Sequence, residues 1–100
     1  MKLNVTKPLL AINQEPLKLG PEKVATLKWA ITEAMCAVFQ GENINGAEKF
    51  SRYKLAMKVQ CADSEVDLSI EEVAKAKDLI GKHFPPTVVG PAYEQLEGAS

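Results

Sequence analysis

The stretch of sequence that decides the fold is Leu68-Ser69-Ile70-Glu71-Glu72-Val73. It has the form of a capping box, in which the Ser69 hydroxyl accepts a hydrogen bond from the backbone N–H of Glu72 and the Glu72 carboxylate accepts one from the backbone N–H of Ser69. Leu68 and Val73 flank the box, where two apolar side chains can close over the first helical turn. The stretch therefore predicts a helix from Ile70 to about residue 82.

The residues on either side of this helix start define the C-terminal half. Before it, Ser64-Glu65-Val66-Asp67-Leu68 alternates polar and apolar side chains, which is the period of a strand. After it, His83-Phe84-Pro85-Pro86 ends the helix because proline cannot continue the hydrogen-bond ladder. A last helix covers either Pro86–Glu97 or Pro91–Glu97, since Pro91 would remove one hydrogen bond from the longer version. Inside the capped helix we expect these residues to face the core: Val73, Ala76, Leu79 and Ile80.

The N-terminal residues have strand character. Residues 2–6 alternate polar and apolar side chains. The apolar run 9–12 and the alternating stretch Leu17-Lys18-Leu19 flank Asn13-Gln14-Glu15-Pro16, which favours a turn. The sequence therefore predicts a β-hairpin. A lone hairpin is only marginally stable in water, so we expect helices or a second chain to cover it.

Two further helices are predicted between the hairpin and the capped helix. The first starts at Gly20-Pro21-Glu22 and stops at Gly41, with one apolar face formed by Val24, Leu27, Ile31, Met35 and Val38. The second runs from about Ala47 to Cys61. Its apolar residues form two rows: Phe50, Tyr53, Met57 and Cys61 on one side, Leu55 and Val59 on another. The predicted fold class is α+β and helix-dominated, an N-terminal β-hairpin followed by three to four helices, in a single domain over 1–100 (hairpin region 1–19, helical region 20–97).

Composition indicates a folded domain and argues against several partners. The chain has 100 residues, 46% hydrophobic and 25% charged, with a formal net charge of −1. That charge disfavours broad capture of nucleic acid, which needs a basic surface. The charge is uneven, with a net of +4 over residues 1–62 and −5 over residues 63–100, which is typical of two differently charged solvated faces, with a polar interface as the alternative. No signal peptide or apolar run long enough to span a membrane is visible, so we expect a cytoplasmic protein that does not enter membranes.

Candidate chemical sites each fail for a physical reason. Asp63, Glu65 and Asp67 start like a calcium loop, but the positions that need Gly and a bidentate Glu hold Leu68 and Ala74. A zinc site cannot be drawn from one histidine and two separated cysteines. We expect those cysteines, Cys36 and Cys61, to be buried and reduced, with a disulfide as the alternative. The sequence therefore predicts no enzyme, no cofactor and no metal.

Several stretches of structural residues, which together cover most of the chain, stand in this order: Leu3-Asn4-Val5-Thr6-Lys7-Pro8-Leu9-Leu10, Lys49-Phe50-Ser51-Arg52-Tyr53-Lys54-Leu55-Ala56, Val66-Asp67-Leu68-Ser69-Ile70-Glu71-Glu72-Val73 and Val88-Val89-Gly90-Pro91-Ala92-Tyr93-Glu94-Gln95-Leu96. This order of motifs resembles that of small proteins of unassigned function encoded by tailed bacteriophages and prophages. Pro91 is a departure, because the similar proteins have a polar helix former there. The resemblance implies a phage-like origin, and so the cytoplasm of a bacterial host, and transfers no catalytic residue.

The function expected from these observations is protein–protein binding that modulates a host or phage complex. The residues expected to contact a partner are Trp29, Arg52, Tyr53, Phe84, Val88 and Tyr93. One alternative is a homo-oligomeric virion assembly or structural protein that pairs through its hairpin edge. Independently of the function, we expect the chain to form a homodimer. The other is a nucleic-acid-binding accessory factor that uses the basic residues Lys49, Arg52, Lys54 and Lys58, although these are scattered around their helix.

Overall fold

The computed structural model describes residues 2–19, 21, 23–37, 41 and 43–97. In chain order the elements are β1 (Lys2–Asn4), α1 (Leu27–Cys36), α2 (Gly46–Gln60), β2 (Glu65–Asp67), α3 (Ile70–His83) and α4 (Pro86–Glu97). The α+β, helix-dominated fold class predicted from the sequence is confirmed.

The strand β1 ties the N-terminus to the segment that precedes α3. It pairs antiparallel with β2, and the central pair of the register is Leu3 opposite Val66, both of them buried. Next to this pairing, the Val5 N–H donates to the Ser64 carbonyl at 2.9 Å, and the Lys28 N–H donates to the Val5 carbonyl at 2.8 Å. The residue that follows β1 is therefore bonded both to the segment before β2 and to the start of α1.

Three extended segments between β1 and α1 form a closed ring of backbone hydrogen bonds. The Leu9 N–H donates to the Ala25 carbonyl at 2.8 Å, the Ala25 N–H to the Leu17 carbonyl at 2.7 Å, and the Leu17 N–H to the Leu9 carbonyl at 2.7 Å. The predicted hairpin is one side of this ring, where Leu10 pairs with Pro16. Each segment has a neighbour on both sides at these residues, so the third segment of the same chain covers the hairpin.

This ring corrects the predicted start of the first helix. Residues 23–26 are extended, and α1 begins at Leu27, with the Thr26 hydroxyl accepting a hydrogen bond from the Trp29 N–H. Val24 pairs with Lys18 rather than lying on a helical face, so residues 23–26 belong with the extended segments and not with the helix. Other positions invoked for this helix lie outside the described residues: Gly20, Glu22 and Val38.

The C-terminal helices follow the sequence prediction closely. The Ser69 hydroxyl accepts from the Glu72 N–H at 3.1 Å, and the Glu72 carboxylate accepts from the Ser69 N–H at 2.9 Å, so the capping box is confirmed. The last helix takes the longer of its two versions, from Pro86 to Glu97, with Pro91 inside it. Pro91 costs the helix one backbone hydrogen bond. Packing offsets this loss, because three residues of α4 are buried: Val88, Ala92 and Leu96.

One hydrophobic core includes residues from every element. The first helix contributes Ile31, the second Val59, the third Ile80 and the fourth Leu96, and each of these four side chains has no exposed surface. The two C-terminal helices approach closely at Gly81, where an added Cβ would lie 2.6 Å from the Tyr93 hydroxyl oxygen. The core therefore fixes one flank of each helix and leaves the other flank to solvent.

Candidate functional site

One flank of α2 is committed to the core. Leu55, Ala56 and Val59 are buried on it, together with Arg52, whose exposure is 7%. The Arg52 side chain bonds to Glu48 at 3.1 Å, and Glu48 also pairs with Lys75 of α3 at 3.0 Å. The hydrogen bond from Lys75, and then that from Arg52, holds the pKa of the Glu48 carboxyl below its ordinary value. The charged groups on the buried flank of α2 are therefore paired, since Glu48 bonds to both Arg52 and Lys75.

The opposite flank of α2 carries large apolar side chains in solvent. Phe50 is 58% exposed, Tyr53 54% and Met57 44%, and their spacing of three and four residues puts them on one line along the helix. The rings of Phe50 and Tyr53 are nearly parallel, with centroids 6.4 Å apart. We call these three residues the α2 face. A row of this kind on a folded chain is typical of a contact surface.

Lysines border the α2 face on both sides. At about 100° per residue, Lys49 lies beside the edge formed by Tyr53, and Lys54 and Lys58 lie beyond the edge formed by Phe50. The Lys54 ammonium sits 5.3 Å from the centroid of the Phe50 ring, close enough for a cation–π contact. The only acidic residue of α2 is Glu48, which lies at the edge of the buried flank. The solvent half of this helix is therefore apolar in the centre and positive at both borders.

A groove of about 670 Å³ runs beside the α2 face, between α2 and the start of α3. Its lining includes Phe50, Lys54 and Lys58 from α2 and the first-turn carboxylates of α3. Lys58 pairs with Glu72 at 3.1 Å across it. Partial burial raises the pKa of the Glu72 carboxyl, but the hydrogen bonds from Ser69 and Lys58 outweigh burial and leave that pKa below its ordinary value. Glu72 of the capping box therefore forms part of one wall of the groove.

The structure places the six residues predicted to contact a partner in different surroundings. Tyr53 belongs to the α2 face. Arg52 and Val88 are buried, the first beside Glu48 and the second in the core, so these two side chains are held within the chain rather than offered to a partner. A contact of these two residues with a partner stays a prediction that their buried positions do not favour, because a helical residue beside an exposed one can point inward.

The other three predicted contact residues pack half-buried against the core. The Trp29 and Phe84 rings lie 5.0 Å apart between centroids, and His83 meets Phe84 edge-on at 4.6 Å. The Tyr93 hydroxyl donates a hydrogen bond to the Lys77 carbonyl. The segment that starts at Phe84 is thus a packed connection between α3 and α4. A contact of these residues with a partner stays a prediction.

Sequence reasoning missed two members of the α2 face. The sequence pattern puts Phe50 and Met57 on one side of the helix together with Tyr53, but the predicted contact residues include only Tyr53. The signal lay in the presence of two apolar rows on one helix, since a helix at the edge of a small core can bury only one of them. The expectation that the basic residues are scattered was incomplete, because three of them border the exposed row: Lys49, Lys54 and Lys58.

The remaining candidate sites are the cysteines and the metal-ligand types. Cys36 and Cys61 are free and exposed, so the expected burial of these thiols was wrong. Among the described residues, no group of three or more His, Cys, Asp or Glu side chains could hold a metal ion. No described helix combines the length and the apolar character that crossing a membrane requires.

Comparison of the chain with protein-family models, curated proteins and solved structures finds no match in any of the three.

Proposed function

We propose that this chain is a protein-binding module that docks on another protein through the α2 face. The observation that carries the proposal is the exposed line of Phe50, Tyr53 and Met57 on a helix whose other flank is fully used by the core. Aromatic residues and methionine are enriched at the centres of protein interfaces. The lysine borders supply the polar rim that such a centre needs.

The size of the apolar row fits a compact contact. Fully covering each of these side chains would stabilise a complex by roughly 1.5–3 kcal/mol before the cost of association is subtracted. Half of that surface is already covered within the chain. Three adjacent anchors on one rigid helix therefore support a specific contact of moderate affinity rather than a permanent one.

The resemblance to tailed-phage proteins places the proposed partner among bacterial host or phage complexes. We keep this origin as part of the proposal, because it rests on the sequence motifs alone. The assembly alternative relied on an open hairpin edge. The hydrogen bonds among Leu9, Leu17 and Ala25 cover that edge, so the described residues give it less support, and the homodimer stays a prediction.

Affinity capture tests the proposal. The tagged chain is immobilised and exposed to bacterial lysate, next to a double variant, Phe50→Ala with Tyr53→Ala. A matched control, Ile12→Ala, removes the most exposed apolar side chain of the hairpin turn, at 85% exposure. We expect the parent chain and the control to retain the same protein and the double variant to lose it. Circular dichroism of each variant shows that it is folded.

Two outcomes would contradict the proposal. Equal retention by the double variant and the parent would move the contact away from the α2 face. Capture that is lost only in Ile12→Ala would assign the contact to the hairpin turn, where Leu10 and Ile12 meet the first turns of α4 across a groove of about 300 Å³.

A further inference from the structure

We infer that the α2 face binds an acidic amphipathic helix that belongs to a chain other than this one. The inference rests on the proposed function and names the chemistry of its partner. It is argued from the spacing of the apolar row, from the charges that border it and from the other surfaces of the chain.

The spacing of the apolar row fits a partner helix. Phe50, Tyr53 and Met57 occupy consecutive a, d and a positions of a heptad, and Gly46 and Gln60 continue the row in both directions. A row with this spacing stays on one side of the helix over two heptads, so a second helix can lie along it and insert its own side chains. The length of α2, 15 residues, is roughly 22 Å and accommodates about two heptads of partner.

The borders of the row select the charge of that helix. In this register Lys49 falls at g and Lys54 at e, the two positions that face charged residues of the neighbouring helix and determine which partner is accepted. Among the described residues neither lysine has a carboxylate partner: Lys54 lies over the Phe50 ring, and no ion pair engages Lys49. A helix with glutamate or aspartate at its own e and g positions would neutralise both.

The same charges argue against a second copy of this chain. If two α2 faces met, lysines would face lysines in either orientation, because both borders of the row are positive. Outside α2, the only large apolar side chain that a described helix exposes is Ile70, at the first position of α3. The described surface of this chain thus contains no acidic helix with an apolar row that could serve as the complement.

A single nucleic-acid strand suits the surface less well than a helix does. Base stacking needs free ring faces, whereas Tyr53 and Lys54 flank the Phe50 ring. The third member of the row, Met57, offers no ring at all. The formal net charge of −1 also opposes binding that depends on phosphate contacts.

Two synthetic peptides test the inference directly. Both carry roughly three heptads with leucine at a and d, one with glutamate at e and g and the other with lysine there. Binding to the full chain is followed by fluorescence anisotropy at low and high salt. We expect the acidic peptide to bind at least about tenfold more tightly than the basic one, with the difference shrinking at high salt.

Charge reversal provides the matched variant. Lys49→Glu with Lys54→Glu leaves the apolar row intact and should invert the preference between the two peptides. Phe50→Ala with Tyr53→Ala should weaken both peptides. A preference that charge reversal leaves unchanged would overturn the inference, and so would the absence of acidic-peptide binding at roughly 1 mM.

The failure of the inference and that of the proposed function are distinguishable. If lysate capture depends on Phe50 and Tyr53 but neither peptide binds, the α2 face is a docking surface for a partner of another shape, and only the inference fails. If a fluorescent single-stranded oligonucleotide binds, with an affinity that falls with salt and is lost in the charge-reversed variant, the partner is a nucleic acid and both fail.

Discussion

The helices α2 and α3 have nearly the same length, 15 and 14 residues, but they use their apolar residues differently. In α3, the apolar residues Val73, Ala76, Leu79 and Ile80 are all buried, and Ile70 is the only large apolar side chain left in solvent. In α2, three larger apolar side chains are exposed, while an arginine occupies part of the buried flank. The two helices contribute to the same core, but α3 packs against both α1 and α4, whereas α2 packs mainly against α1.

This difference separates residues that fold the chain from residues that remain available. A side chain selected for stability alone gains little where it is half in water, because the hydrophobic contribution scales with the area removed from water. The exposed row of α2 therefore adds little to folding. The proposed docking role gives these three residues a function that the fold does not need.

The largest predicted effect separates the two helices by mutation. Leu79→Ala in α3 removes a side chain that is 1% exposed and leaves a cavity, so we expect the free energy of unfolding to fall by about 3 kcal/mol. Met57→Ala in α2 removes a side chain of similar size that is 44% exposed, and we expect the free energy of unfolding to change by less than about 1 kcal/mol. Urea denaturation of the purified variants measures both.

Equal losses of unfolding free energy in Leu79→Ala and Met57→Ala would contradict the difference between the two helices. A loss at Met57 as large as that at Leu79 would mean that the α2 face stabilises the chain, and the proposal for that face would lose its physical basis. A small loss at both positions would instead mean that the core beneath α3 repacks.

How far the sequence could predict the fold depends on the range of the interactions involved. The capping box, the end of α3 and the four inward residues of α3 follow from neighbours within one or two turns, and all of them are confirmed. Where the local sequence allows two alternatives, the contacts between helices decide which one forms. The long version of α4 and the choice of which α2 row is buried could not be predicted for that reason.

The N-terminal ring shows the limit most clearly. Gly20-Pro21-Glu22 has the local signature of a helix start, but residues 23–26 form hydrogen bonds to segments that lie about eight and sixteen residues earlier. Those bonds satisfy backbone groups that the first turn of a helix would leave without partners. The signal that was missed is the repeat of Pro-Leu at Pro8-Leu9 and Pro16-Leu17, whose spacing continues to Ala25.

A second, smaller effect sharpens the comparison at the two helix starts. Ser69 of α3 and Asn45 of α2 each accept a hydrogen bond from the backbone N–H three residues later, at 3.1 and 2.8 Å. Replacement by alanine at either position should cost about 1 kcal/mol, and replacement by glycine only a few tenths. Thermal unfolding of the four variants measures this. If glycine proved as costly as alanine, these side chains would act through packing rather than through capping.

The smallest predicted effect is a pH dependence centred on Glu72. Its carboxyl accepts hydrogen bonds from Ser69 and Lys58 only in the folded chain, and its pKa is therefore lower there than the ordinary value of 4.5. The stability that Glu72 contributes is present in full above that ordinary value, and it is lost as the pH falls through the lowered value. Surface pairs of this kind contribute roughly 1 kcal/mol or less.

The control for Glu72 is its neighbour Glu71, which has the same charge in the same turn but lies outside the capping box. Denaturation of the parent chain and of Glu72→Gln is compared between about pH 7 and about pH 3. We expect the parent to be the more stable at neutral pH and the difference to shrink in acid, because a protonated Glu72 no longer accepts as a carboxylate. Glu71→Gln should show a smaller and flatter difference. If both variants followed the same curve, the stabilisation would come from negative charge at the helix start in general, and not from the particular bonds that the Glu72 carboxylate accepts from Ser69 and Lys58.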